Sequence, residues 1–385
     1  MYIPAIALEK ELHVPGFADY ERGQLIDCRW SSCGTFMSGI TLSQCVGENT
    51  VFVWEYSTAA LMKSFMDEFE ISALAWAPGR PILALVCRDP SHPEKGRIRF
   101  YDVQKNLMAA VSPTIRGLTH MTVPSWSYES RYLALSGGEG DKTVITAQDG
   151  AIVHQIPHRG KGRFLWNPCR PNGANCGDDG IDLFDFERGI VPAGRLSIPG
   201  GTAQAAWSPG GDYFACLSTR GEITLWDSSE GRLLWQYEEL LPPCKVKEGF
   251  VSAPPPVSFL AWSPGGTELF VSAGGREVLV ISPEKRLLLA RLVCLNNAVS
   301  ISLSRDLVWC AVRSEASYGE YGQIEIWRRG EWNSPILKPL SGNSVKYREH
   351  SRALEFHPGE PLLASFPNGS WHISVWKIRN RQRLE

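Results

Sequence analysis

The sequence predicts an all-β fold: a β-propeller of eight four-stranded blades, its ring closed by the N-terminal strand. Three observations lead there. A short phrase recurs along the chain, in which an apolar strand runs into Trp-Ser-Pro-Gly or a variant and a second apolar strand follows. The phrase repeats at the spacing of a propeller blade. Helical periodicity is nearly absent, and 36 glycines and 26 prolines divide the 385 residues into short strands.

The phrase reads AWAPG at 75–79, AWSPG at 206–210 and AWSPG at 261–265. Looser copies are RWSSCG (29–34), SWSYES (125–130), LWNP (165–168), SLSRD (302–306) and FHPG (356–359). The anchors Trp30, Trp76, Trp126, Trp166, Trp207, Trp262, Leu303 and Phe356 are separated by 46, 50, 40, 41, 55, 41 and 53 residues. A blade of about 40–45 residues accounts for the shorter intervals, and insertions for the longer. The fourth unit, around Asn167–Asp185, is the most degenerate, and its second strand is polar. A seven-bladed ring with this unit as a long insertion is the alternative.

The fifth unit shows how each blade is built. Ala203–Trp207 is the first strand. Pro209 presets the turn, and Gly210 and Gly211 tolerate positive φ. Asp212–Ser218 is the second strand, and Arg220-Gly221 turns the chain. Glu222–Trp226 alternates as a half-buried strand does. Asp227–Gly231 turns again, and Arg232–Tyr237 is the outer strand. An aromatic ends the third strand in six units, at Trp54, Tyr101, Phe184, Trp226, Trp327 and Trp376, each expected between blades. The last unit has three strands, Ala353–Phe356, Leu362–Phe366 and His372–Ile378. Ala5–Leu12 leads the chain with no unit of its own. It is expected to supply the missing outer strand and protect the sheet edge. The organisation is thus a single domain over 1–385, with 1–14 as closing strand, 25–380 as blades and 381–385 as a basic tail.

Ala206–Trp235 (AWSPGGDYFACLSTRGEITLWDSSEGRLLW) resembles a WD repeat, with Trp226-Asp227 where that family has its signature dipeptide. The resemblance extends from about Leu25 to Ile378. No Gly-His pair opens the repeats at regular spacing, and Trp-Asp occurs once, so the family's Asp-His-Ser-Trp network is not expected in most blades. The resemblance also implies that second-to-third connections and blade-to-blade connections share one face, the top.

Charge gives no lead to nucleic acid or membrane: 39 basic against 41 acidic residues leave a net charge of −2. The least charged long window, Gly249–Thr267, holds four prolines and three glycines and is no membrane helix. The ten cysteines include no CxxC pair, and most, such as Cys87, Cys216, Cys294 and Cys310, lie in apolar runs as buried free thiols. With no secretory signal in Met1–Leu12, a cytoplasmic location is expected.

Chemical motifs are weak. His154 and His158 have the spacing of helical metal ligands, but Pro157 and Gly160 argue for a turn. Gly177–Asp185 is loosely like a calcium loop and fits a polar strand-to-strand turn better. No cofactor or metal is expected, and no catalytic motif is present. The long connections are Arg88–Gly96, Ser314–Gly322, Ser112–Pro124, Pro157–Arg163, Glu238–Pro256 and Ser341–His350, all on the implied top. They offer Arg88, His92, Arg159, Lys161, Arg163, Lys245, Lys247, Tyr318, Tyr321, Lys346, Tyr347 and Arg348 as partner contacts. The basic stretches at 158–163 and 377–383 are not interleaved with aromatics, and Glu238, Glu239 and Glu248 make the top mixed in sign. That suits a protein or peptide partner better than nucleic acid. The expectation is a non-catalytic scaffold. The alternatives are an enzyme or small-ligand sensor using the central channel, or a nucleic-acid-associated subunit.

Overall fold

The computed structural model describes residues 2–14, 24–42, 49–65, 69–119, 122–136, 141–157, 162–187, 189–198, 201–237, 259–273, 275–315, 323–332, 335, 354–366 and 372–382. These form eight antiparallel sheets and no helix. The first strands are Gln24–Trp30, Glu70–Trp76, Val123–Trp126, Phe164–Trp166, Thr202–Trp207, Phe259–Trp262, Asn297–Leu303 and Leu354–Phe356. Each contacts the first strand of the next blade, and Leu354–Phe356 contacts Gln24–Trp30, so the ring closes around them. Strands within a blade follow in sequence order outward, except in blade eight, where the outermost strand is the N-terminal Tyr2–His13. Blade seven has three strands among the described residues.

One turn recurs eight times. The residue after each anchor donates its N–H to the carbonyl five residues on: Ser31 to Phe36, Ala77 to Ile82, Ser127 to Tyr132, Asn167 to Asn172, Ser208 to Tyr213, Ser263 to Glu268, Ser304 to Trp309 and His357 to Leu362, all at 2.8–3.0 Å. In five units the serine hydroxyl also accepts the opposite N–H, at 2.9–3.0 Å. This is why the phrase carries Ser after Trp: its side chain closes the turn locally. Four residues past the anchor, Gly34, Gly211 and Gly266 take φ of 71–76°. Gly210, expected to share that conformation, does not.

The anchors join the blades. The indole Nε1–H of Trp126 donates to the Ala75 carbonyl (3.0 Å), Trp166 to Ser125 (2.9 Å), Trp207 to Leu165 (3.2 Å) and Trp262 to Ala206 (3.2 Å). Each acceptor stands one residue before the previous blade's anchor. Trp76 reaches the equivalent carbonyl through a hydroxyl: its Nε1–H donates to Ser38 Oγ (2.9 Å), which donates to Arg29 O (3.3 Å). At the last two seams the direction is reversed, and side chains one residue before the anchor accept. Ser302 Oγ takes the Phe356 N–H at 2.9 Å, and Glu355 Oε2 takes the Trp30 N–H at 2.7 Å.

Unit four is a full blade. Its polar second strand, Asn172–Gly177, pairs with Phe164–Trp166 and Gly180–Asp185 and is buried from Gly173 onward. The small residues make room: a Cβ on Gly173 would lie 2.2 Å from the Phe164 ring. The third-strand aromatics Trp54, Tyr101, Phe184, Trp226 and Trp327 are buried, and Trp376 is partly buried. Cys28, Cys87, Cys176, Cys216, Cys294 and Cys310 are buried free thiols. Burial raises the thiols of Cys176 and Cys294 to about 12.

The N-terminal strand, Tyr2–His13, runs antiparallel to His372–Gln382, from Tyr2 opposite Gln382 to His13 opposite His372. The last strand therefore continues four residues beyond Ile378, into the stretch read as basic tail. Lys377 and Arg379 are matched there by Glu9, at 3.7 and 3.8 Å. A second bond set joins blade eight to blade one. His357 Nδ1 accepts the N–H groups of Gly359 (3.0 Å) and Glu360 (2.9 Å), so Nε2 carries the proton and donates to Gly34 O at 3.2 Å. A Cβ on Gly34 would lie 2.0 Å from that nitrogen. Asn167 occupies the same turn position in blade four and makes the same bonds. Its Oδ1 accepts from Cys169 (2.9 Å) and Arg170 (3.1 Å), and its Nδ2 donates to Gly211 O (2.9 Å).

Three groups of outcomes are expected, for the closing strand, for the anchor Trp207 and for His357. Deleting residues 1–12 bares the His372–Gln382 edge and should abolish cooperative melting or cause aggregation, read by calorimetry and light scattering. Trp207→Ala should cost about 3–5 kcal/mol in denaturant unfolding. Trp207→Phe, which keeps the ring but leaves the Leu165 carbonyl without its donor, should cost about 1–3 kcal/mol. The third concerns pH. Burial lowers His357 below its ordinary 6.5, so the unfolded chain binds the extra proton first. Its stability contribution is whole above pH 6.5 and declines as pH falls below it. His357→Asn can reproduce the Asn167 bonds without titrating. It should flatten that acid-side decline, measured as melting temperature against pH.

Candidate functional site

With every blade antiparallel and every first strand running the same way, the turns fall on two faces. First-to-second and third-to-fourth turns lie at one end, and second-to-third and blade-to-blade connections at the other. The second end is the face on which sequence analysis placed the partner contacts.

In blade two the expected long connection at 88–96 is a tight hairpin. Arg88 pairs with Gly96 across the strands, and the Asp89 N–H donates to Lys95 O at 2.9 Å. Asp89 Oδ1 accepts the N–H groups of Ser91 (2.8 Å) and His92 (3.2 Å), which sets the apex. His92 is exposed there. Arg88 is turned the other way. It is 8% exposed, with its guanidinium on the Glu70 carboxylate. Glu70 also accepts from Asn49 Nδ2 at 3.2 Å, and the same nitrogen donates to Ile71 O at 3.0 Å. Arg88 therefore sits in the joint between blades one and two. A strand end long enough to pair with Gly96 carries its last side chain into the seam, which spacing alone did not reveal.

The connection at 112–124 begins with strand. Ile115–Arg116 pairs with Lys95–Gly96, because the third strand of blade two, Lys95–Asp102, is long enough to hold both Leu107–Val111 and this second piece. Arg163 is half-buried at the entry to blade four, and its carbonyl accepts the Cys176 N–H at 3.0 Å. Arg159, Lys161, Lys245, Lys247, Tyr318, Tyr321, Lys346, Tyr347 and Arg348 lie outside the described residues, as does His158. His154 is in the outer strand Ile152–Ile156 of blade three. The Gly177–Asp185 stretch is a hairpin turned at Asp178-Asp179, with Gly177 opposite Gly180.

Sequence reasoning missed the charged groups that hold this face together. Lys142 opens the third strand of blade three and is 2% exposed. Its ammonium donates to Asn175 Oδ1 and, at 2.9 Å, to Cys176 O in blade four. Burial lowers its pKa to about 8. Arg195 bridges Asp179 at 2.6 Å and Asp182 at 3.4 Å beside it. Glu325, in the third strand of blade seven, accepts from Ser314 Oγ (2.8 Å) and from the Leu295 N–H (2.9 Å), tying blade seven to the connection before it. One signal was available for Lys142: a lone charge opening an otherwise uncharged strand, KTVIT. Near the ring's inner edge Arg29 bonds Asp27 at 3.1 Å.

No family model and no curated protein matches the sequence. Among solved structures the chain is similar to the β-propeller domain of Myceliophteria thermophila Cps50 (Swd1). The two are 15% identical, the likeness covers 97% of this chain and 99% of that one, and the TM-score is 0.54. At that identity the likeness bears on the fold alone, where a β-propeller domain agrees with the ring of antiparallel blades. The chain is an all-β propeller of eight blades whose ring is closed by its N-terminal strand.

Proposed function

We propose that the protein is a non-catalytic scaffold of the cytoplasm that binds a protein or peptide partner on the face of the blade-to-blade connections. The observation that supports this is how the charged groups of that face are used. Arg88 with Glu70 and Lys142 with Asn175 lie at the seams, and Arg195 with Asp179 braces a blade-four hairpin. They make a braced platform, and apex residues such as His92 are displayed on it. A braced ring presenting loops is suited to docking at low ordering cost. The free, buried thiols suit a reducing compartment.

Affinity capture with the full chain from its native host, followed by identification of co-purifying proteins, tests the reading. His92→Ala, Tyr318→Ala, Tyr321→Ala and Arg348→Ala, made separately, should leave folding stability within about 0.5 kcal/mol. At least one should weaken partner binding by about 1–4 kcal/mol. Full partner recovery by all four would remove this face from consideration. Turnover of a metabolite by the pure protein would favour the enzymatic alternative.

A further inference from the structure

The first turn of blade three departs from the repeat. Where the fifth and sixth units have Pro-Gly-Gly, residues 128–130 are Tyr-Glu-Ser. Ser130 takes φ 57°, the left-handed conformation that Gly211 and Gly266 adopt at the same place without a Cβ penalty. The turn closes with the same hydrogen bonds as its Pro-Gly counterparts, so its folding does not call for Tyr128 or Glu129.

Both side chains stand at a hollow of about 190 Å³ on the seam of blades three and four, at the end of the ring opposite the long connections. Its floor is aromatic. Tyr132 and Trp166 stack with centroids 6.1 Å apart and planes 8° apart, and Phe186 leans on them at 5.7 and 4.5 Å. Its rim carries two acids to one base: Glu129 from blade three and Glu187 from blade four, both exposed, and Arg131. Among the described residues no ion pair holds either carboxylate. The Tyr128 hydroxyl donates to Glu129. That bond chiefly raises its pKa, and burial and the charges of Glu129 and Glu187 add to the rise, so both carboxylates act on one point. The Arg131 guanidinium already lies 5.0 Å from the Tyr132 ring centre, a planar cation held against this aromatic cluster.

We propose that this hollow receives a basic side chain, arginine or lysine, of a partner polypeptide. The aromatic floor takes the cation and its aliphatic stem, and Glu129 and Glu187 supply the counter-charge. A carboxylate or phosphate in the same place would meet two like charges against the single Arg131 guanidinium. The inference concerns a different face from the scaffold reading, and each can fail alone.

A display library of random heptapeptides selected on the full chain tests it. The expected peptides share an arginine or lysine. Replacing that residue by neutral citrulline or norleucine should raise Kd about tenfold or more. The double variant Glu129→Gln, Glu187→Gln should do the same to the unaltered peptide, with an unchanged thermal midpoint. Tyr318→Ala and Arg348→Ala should leave peptide binding untouched. Selected peptides without a basic residue, equal binding by the double variant, or no retained peptide would each overturn the proposal.

Discussion

The hydrogen bond from an anchor indole to a carbonyl of the previous blade is the interaction on which the ring depends. An innermost strand has a partner on one side only, so every second carbonyl faces away from its own sheet. A buried carbonyl in that position needs a donor. Tryptophan meets the need while filling the wedge between two sheets, since one side chain carries both a large apolar surface and an N–H. Four consecutive seams, from Trp126 to Trp262, use the bond directly. A fifth routes it through Ser38, and two use Ser302 and Glu355 as acceptors instead. At the remaining seam the anchor is Leu303, which has no N–H on its side chain. There Arg329 of blade seven reaches Glu268 of blade six at 2.9 Å, and Glu325 holds the Leu295 N–H.

This arrangement accounts for a sequence whose repeats diverge so far. The turn after each anchor is closed mainly by backbone groups, so its side chains can vary. Serine, asparagine and histidine all serve at the position after the anchor because each offers an acceptor. Asparagine and histidine add a donor that reaches the next blade. Alanine at 77 keeps the backbone bond alone. The signature Trp226-Asp227 has a local use: Asp227 Oδ1 accepts from Ser229 and Glu230 and fixes the third-to-fourth turn. The hydrogen bonds between blades are carried elsewhere, by the anchors and by residues such as Asn167, His357 and Lys142.

The two ends of the ring are built differently. At the end of the blade-to-blade connections, ion pairs brace single blades, buried polar groups such as Asn49 and Lys142 reach across seams, and Lys142 is hydrogen-bonded by protein oxygens instead of water. At the other end the eight turns repeat closely, so a departure stands out against a regular background. Tyr128 and Glu129 are such a departure, and they border the aromatic cluster of the third seam.

The sequence by itself determined the strands, the turn positions, the eight-unit count and the closing role of the N-terminal segment. Each of these rests on local pattern: alternation along a strand, a turn residue at a fixed offset, a unit one strand short. Even the polar strand at Asn172–Gly177 was legible as a unit, because its anchor and spacing survived. The tertiary structure decided which way side chains at strand ends point and what they meet across a seam. Arg88 was legible as a loop residue and is a seam residue. Lys142 passed unnoticed and is buried. The likeness of His357 to Asn167, 190 positions apart, emerges only from their shared bonding pattern. The physical reason is distance along the chain. Seam contacts join residues some 20 to 325 positions apart, from Asn49 with Glu70 to Trp30 with Glu355, and their geometry is set by the angle between sheets, which no local pattern encodes.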